Sequence, residues 1–320
     1  MRVIIAEFFW QHTEVIGTWL DYFCRVRGDD VTVFYPAFLK TPHNYIHIWA
    51  QFYKFTFNFT QTPTWSDYEL CIVNTPVQQI VDDIRVSAPA LKIIAVGHYE
   101  HSTIGGSAIC NLPLHPFCRS AATAQPLLPC IPICAHLAGL LADRRSQLPP
   151  AKKIMIIGNS FKEVPATAFN ALTGLFKQHG YSLTTVIYGY NDISGSAYNF
   201  EDIQLIKDAT AIELYKQIEE ARFVFFLPSP HHFFNRLSGS IPLSLLFGRP
   251  LITTNDVLRP YNLKSHYDIF EADLLNKMEN AEYYAEAQRY LCTRLNEILA
   301  ANERILEQVL GNFGLVSIDS

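Results

Sequence analysis

The sequence predicts an α/β fold made of two doubly wound domains, and three observations carry that expectation. Two stretches of the chain open alike, each with a β-branched apolar run, a polar turn and a helix-like segment: Arg2–Phe9 before Thr13–Arg27, and Lys153–Gly158 before Ala166–His179. Further short apolar runs alternate with helical patterns, as parallel strands covered on both faces require. A length of 320 residues exceeds one ordinary core and suits two domains of about 150 residues each.

Taken in order, the strands of the first half are expected at Arg2–Phe9, Asp30–Tyr35, Leu70–Asn74 and Leu91–Gly97. Those of the second half fall at Lys153–Gly158, Ser182–Tyr188, Phe223–Pro228 and Pro250–Thr253. Each opening strand–loop–helix has the form of a Rossmann-like unit. The polar stretch Arg144–Lys152, with its Pro149-Pro150 pair, is the linker candidate. The domains are therefore expected at 1–149 and 150–295, with 296–320 a closing helix that packs back on the first domain. In Asn280–Leu310 apolar residues recur at steps of three and four, the mark of amphipathic helix. A cleft between two facing domains would be lined by loops at the carboxyl ends of both sheets, where open α/β folds bind ligands.

Phe34–Phe59 has no clean period and is crowded with aromatic residues: Tyr35, Phe38, Tyr45, Trp49, Phe52, Tyr53, Phe55, Phe57 and Phe59. Two readings stay open, an insertion packed on the core or an aromatic wall against which an acceptor stacks.

Composition excludes some classes of function. Hydrophobic residues make up 49% and charged residues 17%, which suits a packed globular chain rather than a disordered one. A net charge of -5 gives the molecule as a whole no pull on nucleic acid or anionic lipid, so an anionic ligand must be held by local donors. The N-terminal apolar run is stopped by Glu7 and lacks a signal-peptide cleavage pattern. No uncharged apolar run of about 18 residues occurs. A cytoplasmic protein is expected, with no membrane span and with peripheral membrane contact left open. Cys24, Cys71 and Cys292 sit in apolar stretches and are expected as buried thiols.

The chemistry concentrates between Ala209 and Asn255. A helical pattern at Ile212–Ala221 precedes a buried strand that ends in Pro228-Ser229-Pro230-His231-His232. Ser238-Gly239-Ser240 then forms a small-residue turn into a helix, with Pro242 in its first turn and Leu243–Phe247 as its apolar body. Gly248 is the expected left-handed cap, and Pro250 stops the chain before the next strand. The free N–H groups at such a helix start favour an anion, and glycine lets a phosphate approach the backbone. Arg236 stands just upstream as a phosphate partner.

Leu227-Pro228-Ser229 at the strand end, Ser238-Gly239-Ser240 at the helix start and Gly248-Arg249-Pro250-Leu251-Ile252 at its close resemble the donor half of GT-B-fold glycosyltransferases. The resemblance covers mainly residues 150–260. It implies an α/β fold of two Rossmann-like, doubly wound domains facing a cleft. It further implies that the Ser238–Ser240 helix start holds the diphosphate of a nucleotide sugar. In the loop Gly158-Asn159-Ser160-Phe161-Lys162, Gly158 would supply backbone amides and Lys162 a cation to the same phosphates. By their position after Pro228-Ser229-Pro230, His231 and His232 would face the nucleotide or the leaving phosphates, or else cap the following helix. No bound metal and no cofactor beyond the co-substrate donor are implied, and no Asp-x-Asp motif is present. One departure stands out: where many retaining members carry a ribose-binding Glu, this chain has Leu243, and the nearest acid is Asp256.

Transfer also needs a group near the acceptor hydroxyl that takes a proton, and histidine titrates in the right range. Gly97-His98-Tyr99-Glu100-His101 follows an expected strand, so His98 and His101 are candidate bases, with Glu100 to orient one of them. His12, with Glu7 beside it after the first strand, is the competing pair. Cys110, His115, Cys118, Cys130, Cys134 and His136 cluster in sequence, but no CxxC pair is present and the spacings fit no zinc ribbon or finger. The expected activity is glycosyl transfer from a nucleotide sugar (UDP or GDP) to a glycan or small molecule, with no nucleic-acid partner. A nucleotide-sugar epimerase of the same build, and a catalytically inactive binding or scaffold protein that kept the fold, are the alternatives.

Overall fold

Two six-stranded sheets, parallel throughout, organise the chain in a computed structural model that describes residues 1–9, 12–36, 45–97, 104–106, 109–113, 133–145, 147–149, 151–157, 166–187, 197–226 and 240–316. By its contacts the chain divides into one unit of Met1–His136 with Glu297–Ser320, and a second of Leu137–Asn296.

The first unit runs β1 (Arg2–Ala6), α1 (Thr13–Leu20), β2 (Asp30–Phe34), α2 (Ile46–Phe52), β3 (Thr56–Asn58), β4 (Leu70–Val73), α3 (Gln78–Ser87), β5 (Lys92–Gly97) and β6 (Ile109–Pro113). Helix α1 continues directly into a π-helical segment, Asp21–Val26. The strand order is β3-β2-β1-β4-β5-β6, so the direction of winding reverses between β1 and β4. Ile4, Cys71 and Ile93, on neighbouring central strands, carry a core closed by Val81 and Ile84 of α3. That burial on both faces is why these strands are unbroken apolar runs.

Helices α4 (Ala135–Leu140) and α5 (Ala142–Arg145) lead to the second sheet. The second unit then runs β7 (Lys153–Ile156), α6 (Ala166–Gln178), β8 (Ser182–Ile187), β9 (Ile203–Lys207), α7 (Ala211–Glu220), β10 (Phe223–Phe225), α8 (Ser240–Phe247), β11 (Leu251–Thr253), α9 (Asn255–Leu258), β12 (Tyr267–Asp268), α10 (Leu274–Glu279) and α11 (Ala281–Asn312). Its order, β12-β11-β10-β7-β8-β9, is the same winding with the reversal between β7 and β10. Phe169 and Phe176 of α6 pack with Phe223, Phe225 and Tyr267 from the strands.

The boundary between the units falls after His136, ahead of the expected Arg144–Lys152 linker. The reason is local: Arg145 is buried in the second unit, where its carbonyl accepts from Gln288 Nε2 at 2.7 Å and its guanidinium donates to Leu246 O. The closing helix, α11, is continuous, and its portion from Glu297 onward belongs with the first unit.

Half of the described aromatic residues in this stretch are core. Tyr35, Tyr45, Trp49 and Tyr53 are buried, Phe52, Phe55 and Phe57 are half-buried, and Phe59 is exposed. Phe38 lies outside the described residues. Among the described residues no helix is long and apolar enough to cross a membrane.

Candidate functional site

In a doubly wound sheet, ligands bind beyond the carboxyl ends of the strands where the winding reverses. Each unit has one such place. In the second unit it lies beyond β7 and β10, whose ladder is extended by Ile157 N–H donating to Phe225 O at 3.1 Å. The residues expected to grip the donor come immediately after. Gly158, Asn159, Ser160 and Lys162, and likewise Pro228, Ser229, His231, Arg236, Ser238 and Gly239, lie outside the described residues.

The helix beyond Gly239 is placed as expected. Ser240 opens α8, Pro242 lies in its first turn, and Gly248 ends it with φ +60°. Gly248 N–H donates to Leu245 O and Arg249 N–H to Ser244 O, at 3.1 and 3.0 Å, the paired bonds of a Schellman cap. The Arg145 guanidinium adds a cation at the same end through its bond to Leu246 O, where the helix dipole favours positive charge. The far end of α8 is thus firmly held, and its opposite end, the start at Ser240, comes after β10 in the chain. Leu243, in the place of the donor-binding Glu, is the one residue of 241–250 that is not fully buried.

The sequence did not single out Thr253 and Thr254 at the carboxyl end of β11, next to β10. Both are buried, and neither hydroxyl has a hydrogen-bond partner among the described residues. Beside them Asp268, at the end of β12, accepts from Asn255 N–H at 2.9 Å and Asn255 Nδ2 at 2.8 Å. That pair fixes the turn into α9, which carries Asp256 exposed and 3.4 Å from Arg259.

In the first unit the reversal point lies beyond β1 and β4, and here the side chains are placed. Glu7 follows β1, Asn74 follows β4, and both are fully buried. Backbone bonds carry the sheet one residue further: Glu7 N–H to Phe34 O at 2.9 Å, and Asn74 N–H to Ala6 O at 2.8 Å. Glu7 Oε2 accepts from Asn74 Nδ2 at 2.6 Å and Thr75 Oγ1 at 2.8 Å, and Oε1 accepts from Phe9 N–H at 2.8 Å. Burial pushes the Glu7 carboxyl up to about 7, against the lowering effect of those donors and of His12.

His12, the cap of α1, holds the left-handed conformation at φ 63° and uses no side-chain cap. Its Nδ1 lies 3.5 Å from Glu14 Oε1. Burial pushes the imidazolium down, but Glu14 and then Glu7 push it up, and the net shift is upward. His12 Nε2 and the Glu7 carboxyl are both shielded from solvent, so this pair sits beneath the surface of the site. The structure therefore unites the expected Glu7 and His12 and adds Asn74, Thr75 and Glu14. The signal for Asn74 was the abrupt polar Asn-Thr after the apolar Leu70–Val73. His98, Glu100 and His101 lie outside the described residues.

Of the Cys/His cluster, Cys134 Sγ meets Tyr53 Oη at 2.7 Å and the His136 ring packs edge-on to Phe52 and Tyr53. His115, Cys118 and Cys130 lie outside the described residues.

Comparison with known proteins gives a result at the level of the fold. No protein-family model matches the sequence. No curated protein matches it either. Solved structures do match over nearly the whole chain. Anabaena Alr3699/HepE, in complex with UDP and glucose, aligns with a TM-score of 0.62 at 10% identity, covering 97% of this chain and 100% of that one. An α-glucosyltransferase in complex with UDP aligns at 0.53 and 10% identity, covering 96% of each chain. A Listeria monocytogenes protein provisionally assigned as a UDP-N-acetylglucosamine 2-epimerase aligns at 0.59 and 12%, covering 99% and 97%. The chain thus has the α/β fold of two Rossmann-like, doubly wound units, the GT-B type that the sequence led one to expect.

Proposed function

We propose that this chain is a glycosyltransferase that moves a sugar from a nucleoside diphosphate sugar onto a glycan or small-molecule acceptor, with UDP the first nucleotide to test. The observation that carries the reading is the polar equipment at both reversal points of a fold shared with UDP-bound proteins. In the second unit that equipment is the start of α8, which follows β10 in the chain, and the two buried threonine hydroxyls at the end of the adjoining β11. In the first it is a buried carboxyl and a half-buried imidazole.

In this reading the donor diphosphate rests on the amides of the Ser238–Ser240 turn, with Arg236 and Lys162 balancing its charge. The acceptor oxygen attacks the anomeric carbon and the bond to the β-phosphate oxygen breaks. The acceptor proton passes to a histidine, with His98 or His101 beside Glu100 the first candidates, and His12 the alternative. Stabilising the departing diphosphate is the task of the α8 amides and the two cations. Neither a metal nor a further cofactor enters this scheme, and a cytoplasmic setting belongs to the same reading.

Titration calorimetry with UDP, GDP, ADP and CDP, then assays of sugar-donor hydrolysis and transfer, tests the proposal. Binding of a nucleoside diphosphate and consumption of its sugar conjugate are expected. Failure of every nucleotide to bind, with no donor consumed, overturns it. The Listeria neighbour favours one second reading, epimerisation, in which the nucleotide sugar is converted with no acceptor present. Binding without any conversion points instead to an inactive relative, the outcome that Leu243 favours.

A further inference from the structure

Hydrogen bonds of the buried Asn74 carboxamide join four parts of the first unit. Its Oδ1 accepts from Trp19 Nε1 at 3.0 Å; its Nδ2 donates to Glu7 Oε2 at 2.6 Å and to His12 O at 3.0 Å. The indole N–H is a donor only, so the amide oxygen must face Trp19, and the NH2 group must face Glu7 and His12. Trp19, itself fully buried on α1, thereby fixes which way the amide points.

The two acceptors of that NH2 group bracket the β1–α1 loop. Glu7 is the residue directly after β1, and His12 is the last before α1. At its His12 end the loop is held in a left-handed conformation, which a side chain with a Cβ adopts only at a cost. The His12 side chain does not cap α1 there, and the His12 carbonyl accepts both Val15 N–H at 3.1 Å and Asn74 Nδ2. Between the two anchors Phe9 N–H is tied to the Glu7 carboxylate and the Phe9 side chain reaches the surface. A buried NH2 group needs two acceptors, and here they stand at the two ends of one loop.

We propose that Asn74 is a positioning residue: its amide clamps Glu7 to the His12 carbonyl and so sets the backbone at Glu7–Phe9 and at His12 for the acceptor. This rests on the glycosyltransferase reading, in which the first unit receives the acceptor.

The test uses the full chain with Asn74→Asp, equal in volume, and Asn74→Ala. The new carboxylate keeps an acceptor for Trp19 but turns oxygen toward Glu7 Oε2 and His12 O. At about pH 8, kcat for transfer is expected to fall about tenfold or more, the scale of a small misplacement, while UDP affinity stays within about twofold. Below about pH 6 the Asn74→Asp deficit relative to wild type is expected to narrow, because one proton shared with Glu7 restores a donor. Amide exchange at Phe9, Thr13 and Val15 is expected to quicken by about tenfold in both variants. Wild-type kcat with only a lowered melting temperature overturns the proposal, as does unchanged exchange in that segment. Should the wild-type chain turn over no donor at all, the exchange measurement still decides: quickened exchange keeps the clamp and discards the transferase reading, and unchanged exchange discards the clamp.

Discussion

Gly17 and Trp49 meet so closely that a Cβ built on Gly17 would stand 2.5 Å from the indole Cζ2. The ring is held there by its own N–H, which donates to Thr13 O at 3.0 Å. Gly17→Ala sets two effects against each other. Alanine in a helix gains up to about 1 kcal/mol over glycine, whereas overpacking a fixed ring costs about 1–3 kcal/mol. The clash wins because Trp49 is anchored, so urea denaturation should show a net loss of about 1–2 kcal/mol. A more stable variant would mean that α2 does not pack on α1 as described.

Glu7 makes stability depend on pH. Its carboxyl titrates near 7 when folded, well above an ordinary glutamate, so the folded state binds more protons between the two values. Its contribution is therefore complete at pH below about 4.3 and is lost as pH rises through about 7. The span corresponds to roughly 4 kcal/mol at about 1.4 kcal/mol per pH unit. In Glu7→Gln this part of the pH profile should be flat. Denaturation midpoints measured from about pH 5 to pH 8 compare the two, and parallel profiles would remove Glu7 from the account.

The donor reading makes a separate demand on cations. Arg236→Ala and Lys162→Ala should each weaken UDP binding by about 10–100-fold, since a hydrogen bond to a charged group contributes about 1.5–3 kcal/mol. Uridine, which lacks the phosphates, should lose little in either variant. Equal losses for UDP and uridine in titration calorimetry would place these residues away from the diphosphate.

Gly248→Ala should cost about 1–2 kcal/mol for the left-handed backbone alone. The new methyl would also press on the Arg145 side chain, whose Cβ lies 3.0 Å from its place. Because the Schellman cap holds α8, a loss of nucleotide affinity should accompany the fall in melting temperature. Retained affinity in a destabilised variant would separate the cap from the site.

How far the sequence could be read depended on burial. The eight strands expected from apolar runs all exist, because β1, β4, β7 and their neighbours are covered on both faces. The strands not anticipated, β3, β6, β9 and β12, lie toward or at the sheet edges and are short or mixed in polarity. Thr56–Asn58 and Tyr267–Asp268 have two or three residues each, and Ile203–Lys207 carries Gln204 and Lys207. The helix around Pro242 and Gly248 was legible because proline and glycine act through local backbone geometry. Asn74 was not, since its role depends on Trp19, Glu7 and His12, which only the fold brings to it. Arg145, inside the expected linker stretch, was not legible for the same reason: it looks like a solvated charge until its contact with Leu246 O is seen.

The single helix Ala281–Asn312 begins in the second unit and finishes in the first, where Asn302, Ile305, Leu306, Val309 and Leu310 are buried. The first unit is therefore not a contiguous piece of gene, since the whole second unit is inserted between its two parts. A fragment cut after the N-terminal sheet would be born without the last turns of helix that complete its interior, and a fragment starting there would carry an orphaned greasy tail. Anyone wishing to study the halves separately would need to graft the tail onto the front portion, and the ribosome must finish nearly all of the chain before the first-made portion can close.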